Sequence, residues 1–375
     1  MIAGPNIIAF SYAKRALVAG SRERIRMAEY STVLSSYHVV VFTRASEGCA
    51  AYQEEDNLHL YATNSTSKIG MLIDAYKIGK RIIKTQSKKQ WTVSAQDPLA
   101  SSIVPLFLYR FKNVTLHVQV HGDIFSQYFF AGDRLRIMKR CYAQWVLSRA
   151  QKIRVVSERI KSSLLARHVP ESRIIVLPIQ ADIDAFLQVG KTRAYEEVTV
   201  TKFLYVGRLA PEKNINLILA AFAQATSSGM SATLTLLGDG PQKVFLQNEV
   251  SKLGIGHIVE FLPWTDAVPA NMAAADVLCL ASWHEGYAMV LLEAMAAGLP
   301  VVTTDVGCVG SVVIDNESGR VVADFTVASY AKVMQELAGD SQKRAQFGRA
   351  AHHKAQSLVL SHDDYLHAIA ESFTI

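Results

Sequence analysis

Residues 283–302 read in succession as a loop, a helix, a stop and a buried strand. Tyr287 to Ala297 is a run of good helix formers. Gly298 suits the left-handed position that ends a helix, and Pro300 forbids its continuation. Val301 to Thr304 then has the β-branched, apolar character of a strand inside a sheet. The same alternation recurs along the chain. In the first half Ile7 to Phe10, Val39 to Thr43, Trp91 to Ser94, Val114 to Val120, Ile153 to Val156 and Ile174 to Leu177 read as strands. Arg22 to Leu34, Ser67 to Lys84 and Val104 to Phe111 read as helices between them. A polar stretch without a clear period, 186–198, has the character of a linker. The alternation then restarts at Lys202 to Gly207 and continues through Thr233 to Gly238, Ile258 to Leu262 and Val277 to Leu280. Alternation of this kind predicts α/β architecture with mostly parallel sheets.

A chain of 375 residues is too long for one ordinary domain. We expect a first domain over 1–185, a second over 198–358, and a final helical segment over 359–375. No uninterrupted apolar run is long enough for a membrane span, and the N-terminus lacks the pattern of a secretory signal. Cys49, Cys141, Cys279 and Cys308 are scattered and form no CxxC pair, as expected of reduced cytoplasmic thiols.

Two carboxylates, Glu285 and Glu293, sit eight positions apart in the opening segment. Eight helical residues span about 12 Å, beyond the roughly 5–9.5 Å that separates a glycosidase pair. The two are better placed to hold different parts of one long ligand. Between them the helix N-terminus offers free N–H groups from Tyr287, Ala288, Met289 and Val290, a natural phosphate site. A nucleotide diphosphate sugar has hydroxyls at both ends and phosphate in the middle. Two surface glutamates on an amphipathic helix would fit the spacing equally well.

The segment resembles the Glu-x7-Glu signature of the family 4 glycosyltransferases. Tyr205-Val206-Gly207-Arg208 through Lys213 is similar to that family's donor loop. Leu237-Gly238-Asp239-Gly240-Pro241 is similar to its Gly-x-Gly-Pro turn. Val120-His121-Gly122-Asp123 and Val155-Val156-Ser157-Glu158 resemble two further turns in family order. The resemblance spans 120–302. It implies a GT-B fold, two Rossmann-like doubly wound domains facing a central cleft, and a retaining, metal-independent sugar transfer without a cofactor.

It also implies roles. Arg208 and Lys213 would bind the donor diphosphate, with the backbone of Tyr287 to Val290 on the distal phosphate. Glu293 would accept from the ribose hydroxyls, and Glu285 would contact the transferred sugar. His121 would stabilise developing charge at the sugar. Gly20 stands in the family's Gly-Gly loop, although its first glycine is Ala19 here, and the backbone near Thr265 would meet the base. Ala288 departs from the family's usual glycine. Asp182 and Asp184 read as turn and capping residues rather than a metal-binding DxD, and Ser311 stands where the family often has Glu.

Charge adds a partner. Residues 1–190 hold 26 basic against 14 acidic residues, while 191–375 hold 13 against 19. A basic half suggests an anionic partner. No nucleic-acid module is recognisable, so we expect an anionic membrane surface; Lys77, Lys80, Arg81, Lys84, Lys88 and Lys89 lie on the basic side of a sheet-packing helix, which is simply solvated on one reading and meets lipid head groups on the other. Ile69, Leu72, Ile73, Tyr76 and Ile83 are expected to form the apolar face of that helix. The expected activity is hexose transfer from a nucleotide sugar, UDP-sugar ahead of GDP-mannose, to a lipid-linked or polysaccharide-precursor acceptor at the inner face of a membrane. A sugar-nucleotide 2-epimerase would need no acceptor, and a lipid-binding scaffold would need no nucleotide.

Overall fold

The structure is a computed structural model that describes residues 4–180 and 182–374. It divides into two compact units. One runs to Ile179 and resumes at Leu360, and the other is Gln180–Val359.

The first unit follows β1 (Asn6–Ser11), α1 (Arg22–Thr32), β2 (Ser36–Val41), β3 (Tyr52–Glu55), β4 (Leu58–Ala62), α2 (Lys68–Thr85) and β5 (Trp91–Ala95). It continues through α3 (Ile103–Leu108), β6 (Val114–Val120), α4 (Arg136–Arg149), β7 (Lys152–Val155), α5 (Glu158–Leu165) and β8 (Ile174–Val176). Its sheet order is β3-β4-β2-β1-β5-β6-β7-β8, parallel except for the β3–β4 pair. All residues of β2 and β5 are buried, which is why they read as continuous apolar runs rather than alternating ones. The β3–β4 hairpin was not legible. Its outer strand, Tyr-Gln-Glu-Glu, is an exposed edge without an apolar run, and the turn rests on Asp56 at φ +50°.

The second unit contains α6 (Asp184–Thr192), β9 (Thr201–Val206), α7 (Ile215–Ser227), β10 (Ala232–Leu237), α8 (Lys243–Lys252), β11 (Val259–Leu262) and α9 (Val268–Ala274). Then come β12 (Val277–Leu280), α10 (Met289–Ala296), β13 (Val301–Thr304), β14 (Gly319–Val322), α11 (Val327–Gly339) and α12 (Ser341–Leu358). Its sheet is wholly parallel, ordered β11-β10-β9-β12-β13-β14. The last helix, α13 (His362–Ser372), belongs to the first unit. There Tyr365 and Phe373 are buried, and Arg154 donates to the Tyr365 hydroxyl at 2.9 Å and to the Pro178 carbonyl at 2.9 Å.

Two expectations are corrected. The stretch 186–198 is not a featureless linker: α6 packs onto the second unit. A Cβ at Gly190 would lie 2.3 Å from the Ala296 carbonyl, and Arg193 donates to the carbonyls of Ala297 at 2.7 Å and Ala275 at 2.9 Å. Only Phe186 of α6 is buried, and its short apolar side, Ala185 to Val189, is broken off by Gly190. The apolar face of α2 is corrected in part: Ile83 is buried as expected and Leu72 and Tyr76 are half-buried, but Ile69 and Ile73 are not on the contact face. Ala75, Gly79, Ile82 and Ile83 are its buried residues, while Ile69 and Ile73 are exposed. Gly79 brings the helix so close to Leu108 and Phe10 that a Cβ there would lie 2.6 Å from the Leu108 side chain, so the contact face has few large side chains to reveal it.

Candidate functional site

In a doubly wound sheet the two strands whose connections leave in opposite directions open a crevice at their C-terminal ends. In the second unit those strands are β9 and β12. The loop after β9 carries Arg208 and Lys213, and the loop after β12 carries Glu285. The backbone joins them directly, with Trp283 N–H donating to the Glu212 carbonyl at 2.9 Å.

The β9 loop needs its glycines. A Cβ at Gly238 would lie 2.0 Å from the Gly207 carbonyl, and one at Gly240 2.3 Å from that of Leu209. The two glycine turns therefore lock together, and Leu209 N–H donates to the Asp239 carbonyl at 2.9 Å. Tyr205, fully buried, donates its hydroxyl to the Arg208 carbonyl at 2.9 Å. Burial, and then the Glu285 and Glu212 charges, push that hydroxyl's pKa well up, so it stays a donor. The Arg208 side chain is exposed and pairs with Glu212.

Lys213 Nζ donates to Glu285 Oε1 at 2.6 Å, and Ser282 Oγ donates to the same oxygen at 2.6 Å. Ser282 is fully buried, and Thr304 Oγ1 donates to its carbonyl at 2.8 Å. Ser282 was not anticipated. Its only trace in the sequence is its place three residues before Glu285.

The helix starts later than its composition suggests: α10 begins at Met289, and Ala288 is its cap in the left-handed region at φ +68° and ψ +66°. The family glycine that Ala288 replaces would adopt this conformation freely. Gly307, at φ +59°, closes over the turn. A Cβ there would lie 2.6 Å from the Tyr287 carbonyl, which accepts from Cys308 N–H at 2.9 Å. No acidic residue lies in the first turn of α10, so the helix itself supplies no carboxylate to the partial positive charge of its N-terminus. Glu293 is half-buried, and no side chain among the described residues hydrogen-bonds or pairs with it. Burial raises its pKa above the ordinary glutamate value. Thr265 follows β11, and its hydroxyl accepts from Ala267 N–H at 3.1 Å.

Gly20 and His121 lie in the first unit. Gly20, at φ +74° with open space where a Cβ would sit, precedes Ser21, which caps α1 through Arg24 N–H. His121 follows β6 directly. Gly122 admits the Phe129 ring, which would lie 2.7 Å from a Cβ. Asp123 Oδ1 fixes the same loop by accepting from Phe125 N–H at 3.1 Å and Ser163 Oγ at 2.8 Å. His121 has an exposed surface, so a ligand can reach it. Desolvation by the protein packed around it, then Arg154 and Arg26, lower its pKa to about 4. The imidazole is therefore neutral at pH 7. Among the described residues, no group of three or more His, Cys, Asp or Glu is placed to hold a metal ion, and no helix is long and apolar enough to cross a membrane.

Two Rossmann-like units with this strand order define the GT-B fold. Sucrose-phosphate synthase from Thermosynechococcus elongatus superimposes with a TM-score of 0.74 at 20% identity, covering 98% of both chains. HepE from Anabaena, solved in complex with UDP and glucose, superimposes with a TM-score of 0.72 at 18% identity, covering 99% of both. Residues 193–354, which lie within the second unit, match the family described as glycosyl transferases group 1. A glycogen synthase of Mycobacterium tuberculosis is 32% identical over 158 residues, 42% of this chain. That alignment spans 38% of the synthase's own length.

Proposed function

We propose that the protein is a retaining glycosyltransferase of family 4. It transfers a hexose-type sugar from a nucleotide diphosphate sugar, a UDP-sugar in preference to GDP-mannose, to a lipid-linked or polysaccharide-precursor acceptor. It acts peripherally at the cytoplasmic face of a membrane. The carrying observation is the crevice between β9 and β12, where Lys213 and Glu285 pair beside a helix with no acidic residue in its first turn and a Glu293 without a side-chain partner among the described residues.

The donor's pyrophosphate would take Lys213, Arg208 and the first-turn N–H groups of α10 as its counter-charges, so no metal is required to neutralise it. Each charge-assisted contact contributes about 1.5–3 kcal/mol. Glu293 accepts from the ribose hydroxyls, and the base lies near Thr265. Once phosphate engages Lys213, Glu285 is released toward the hydroxyls of the sugar. The bond from the anomeric carbon to the leaving phosphate then breaks, and the bond to the acceptor oxygen forms on the same face. The acceptor proton passes to the departing phosphate. Glu285 stabilises the cationic sugar between these events, and neutral His121 is the first unit's candidate for the same task, so each works by position and charge.

A thermal-shift screen against UDP, GDP, ADP and their sugar conjugates tests the reading. A bound donor at about a hundredfold excess over its Kd adds about 2.7 kcal/mol. Selective stabilisation by one nucleotide supports the donor site, whereas folded protein indifferent to all of them counts against it.

A further inference from the structure

The apolar residues of α2 that do not pack leave Ile69 and Ile73 71% and 49% exposed. The start of α4 shows the same feature more densely. Leu135, Ile137 and Met138 are 52%, 70% and 62% exposed, interleaved with Arg134 and Arg136. Both arginines are exposed, and neither pairs with a carboxylate among the described residues. Two turns beyond Met138, on the same side of the helix, Trp145 is also exposed, with the Arg149 guanidinium 4.2 Å from its ring centroid. Both helices begin after the C-terminal ends of parallel strands, α2 after β4 and α4 after β6. The chain leaves the sheet toward both helices on the side that also carries His121, directly for α2 and through the loop 121–135 for α4.

A single exposed aliphatic side chain is ordinary. Several, alternating with unpaired arginines at one edge of a domain whose half of the chain carries net +12, match a layered partner that is anionic outside and apolar beneath. Nucleic acid offers phosphate and flat bases but no medium for isoleucine and methionine. A bilayer offers both, with phosphates at the depth of the guanidinium groups and acyl chains below.

We infer that this edge of the first unit docks on an anionic phospholipid bilayer, with Leu135, Ile137 and Met138 entering the head-group boundary and Arg134 and Arg136 on lipid phosphates. The inference deepens the membrane-surface part of the proposed function and is independent of its donor chemistry.

Sedimentation of the full chain with vesicles of phosphatidylcholine, with and without phosphatidylglycerol, tests it at low and high salt. The expected result is binding to the anionic vesicles that weakens with salt. Ile137→Glu/Met138→Glu should cut it about tenfold or more, and so should Arg134→Glu/Arg136→Glu. Melting temperature and nucleotide-induced shift should stay unchanged in both variants. Ile69→Glu/Ile73→Glu provides a second probe should either pair fail to fold. No vesicle binding, equal binding to neutral vesicles, or wild-type partition in folded variants would overturn the inference. So would binding to single-stranded RNA that matches the anionic vesicles and is indifferent to Ile137→Glu/Met138→Glu. The nucleotide shift reports separately on the donor site, so the two readings fail independently.

Discussion

Lys213 Nζ sits 2.6 Å from Glu285 Oε1, with both side chains largely withdrawn from solvent at 22% and 13% exposure. The pair joins the loop after β9 to the loop after β12, and Ser282 braces the carboxylate from below. The cation proposed to hold phosphate is held by the carboxylate proposed to hold sugar. The pair thus compensates its own charge, and donor binding exchanges one anion for another around Lys213.

Lys213→Ala should therefore have two separable effects. It leaves a largely desolvated carboxylate without its counter-charge, costing about 2–3 kcal/mol of stability, a little below the 3–5 kcal/mol of a fully buried pair. It also weakens nucleotide diphosphate binding by about tenfold or more. Adding Glu285→Gln should restore most of the stability and none of the affinity. Urea unfolding and nucleotide titration of the two single variants and the double variant measure both. Recovery of affinity in the double variant would contradict a role for Lys213 on phosphate.

Glu293 predicts a conflict between stability and binding. Its folded pKa is raised by burial, so the folded state holds that proton more tightly than the unfolded chain does. This carboxylate therefore disfavours folding increasingly as pH rises from about the unfolded value of 4.5 through the raised folded value. Glu293→Gln should be at least as stable as the parent at pH 7, with the difference vanishing below pH 4.5. Its donor affinity should fall about tenfold or more as charge-assisted ribose contacts are lost. Unfolding curves across that pH range test the first part, and a variant less stable at neutral pH would show that Glu293 has a partner in the fold.

How much of this was legible depended on how each residue signals itself. Arg208, Lys213, Glu285 and Glu293 stood in recognisable spacing, and the parallel strands that present them announced themselves as apolar runs. Lys213 pairing with Glu285 was not legible, because it depends on β9 and β12 being neighbours although β10 and β11 intervene in sequence. Ser282 was hidden for the same reason. The α6 helix is short, and a close glycine contact and arginine-to-carbonyl hydrogen bonds, which leave no pattern in a sequence, hold it to the second unit. Part of the face of α2 was misread because hydrophobicity marks what can be buried, and Ile69 and Ile73 are apolar without being buried.

The cap of α10 carries a backbone cost that can be removed. Ala288 lies in the left-handed region at φ +68°, unfavourable for an L-residue by about 1–2 kcal/mol. A glycine there avoids that cost but loses about 0.5–1 kcal/mol through its freer unfolded chain. Ala288→Gly should therefore stabilise the protein by about 0.5–1 kcal/mol and leave nucleotide affinity equal or better, since a methyl group no longer stands beside the phosphate site. Thermal unfolding with and without nucleotide decides it. A lower melting temperature for the glycine variant would mean that the Ala288 methyl packs to an advantage exceeding the strain.

Gly307 makes the opposite prediction on the same turn. Its φ is +59°, and a Cβ would lie 2.6 Å from the Tyr287 carbonyl. Gly307→Ala should destabilise the second unit by about 1–3 kcal/mol and displace the first turn of α10, lowering nucleotide affinity beyond what stability loss explains. Comparing Kd at a temperature where the variant is fully folded separates the two. Unchanged affinity would detach this turn from the phosphate site.

The histidines of the first unit set its response to acid. His38 and His117 are buried, hydrogen-bonded to Ser36 at 2.7 Å and Ser94 at 2.9 Å. Burial, with neighbouring cationic groups, lowers the pKa of each to about 3, while His121 is lowered to about 4. Above the ordinary value of 6.5 all three are neutral in both states and cost nothing. As pH falls below 6.5 the unfolded chain takes up protons that the folded unit refuses, so stability declines progressively toward pH 4 and below. The first unit should therefore weaken over the range in which Glu293 favours folding of the second. His117→Gln, which cannot titrate, should lose less stability between pH 6.5 and 4 than the parent does, even if its stability at pH 8 is lower. Urea unfolding at stepped pH reads that slope, and a slope unchanged in the variant would assign the acid response to other groups.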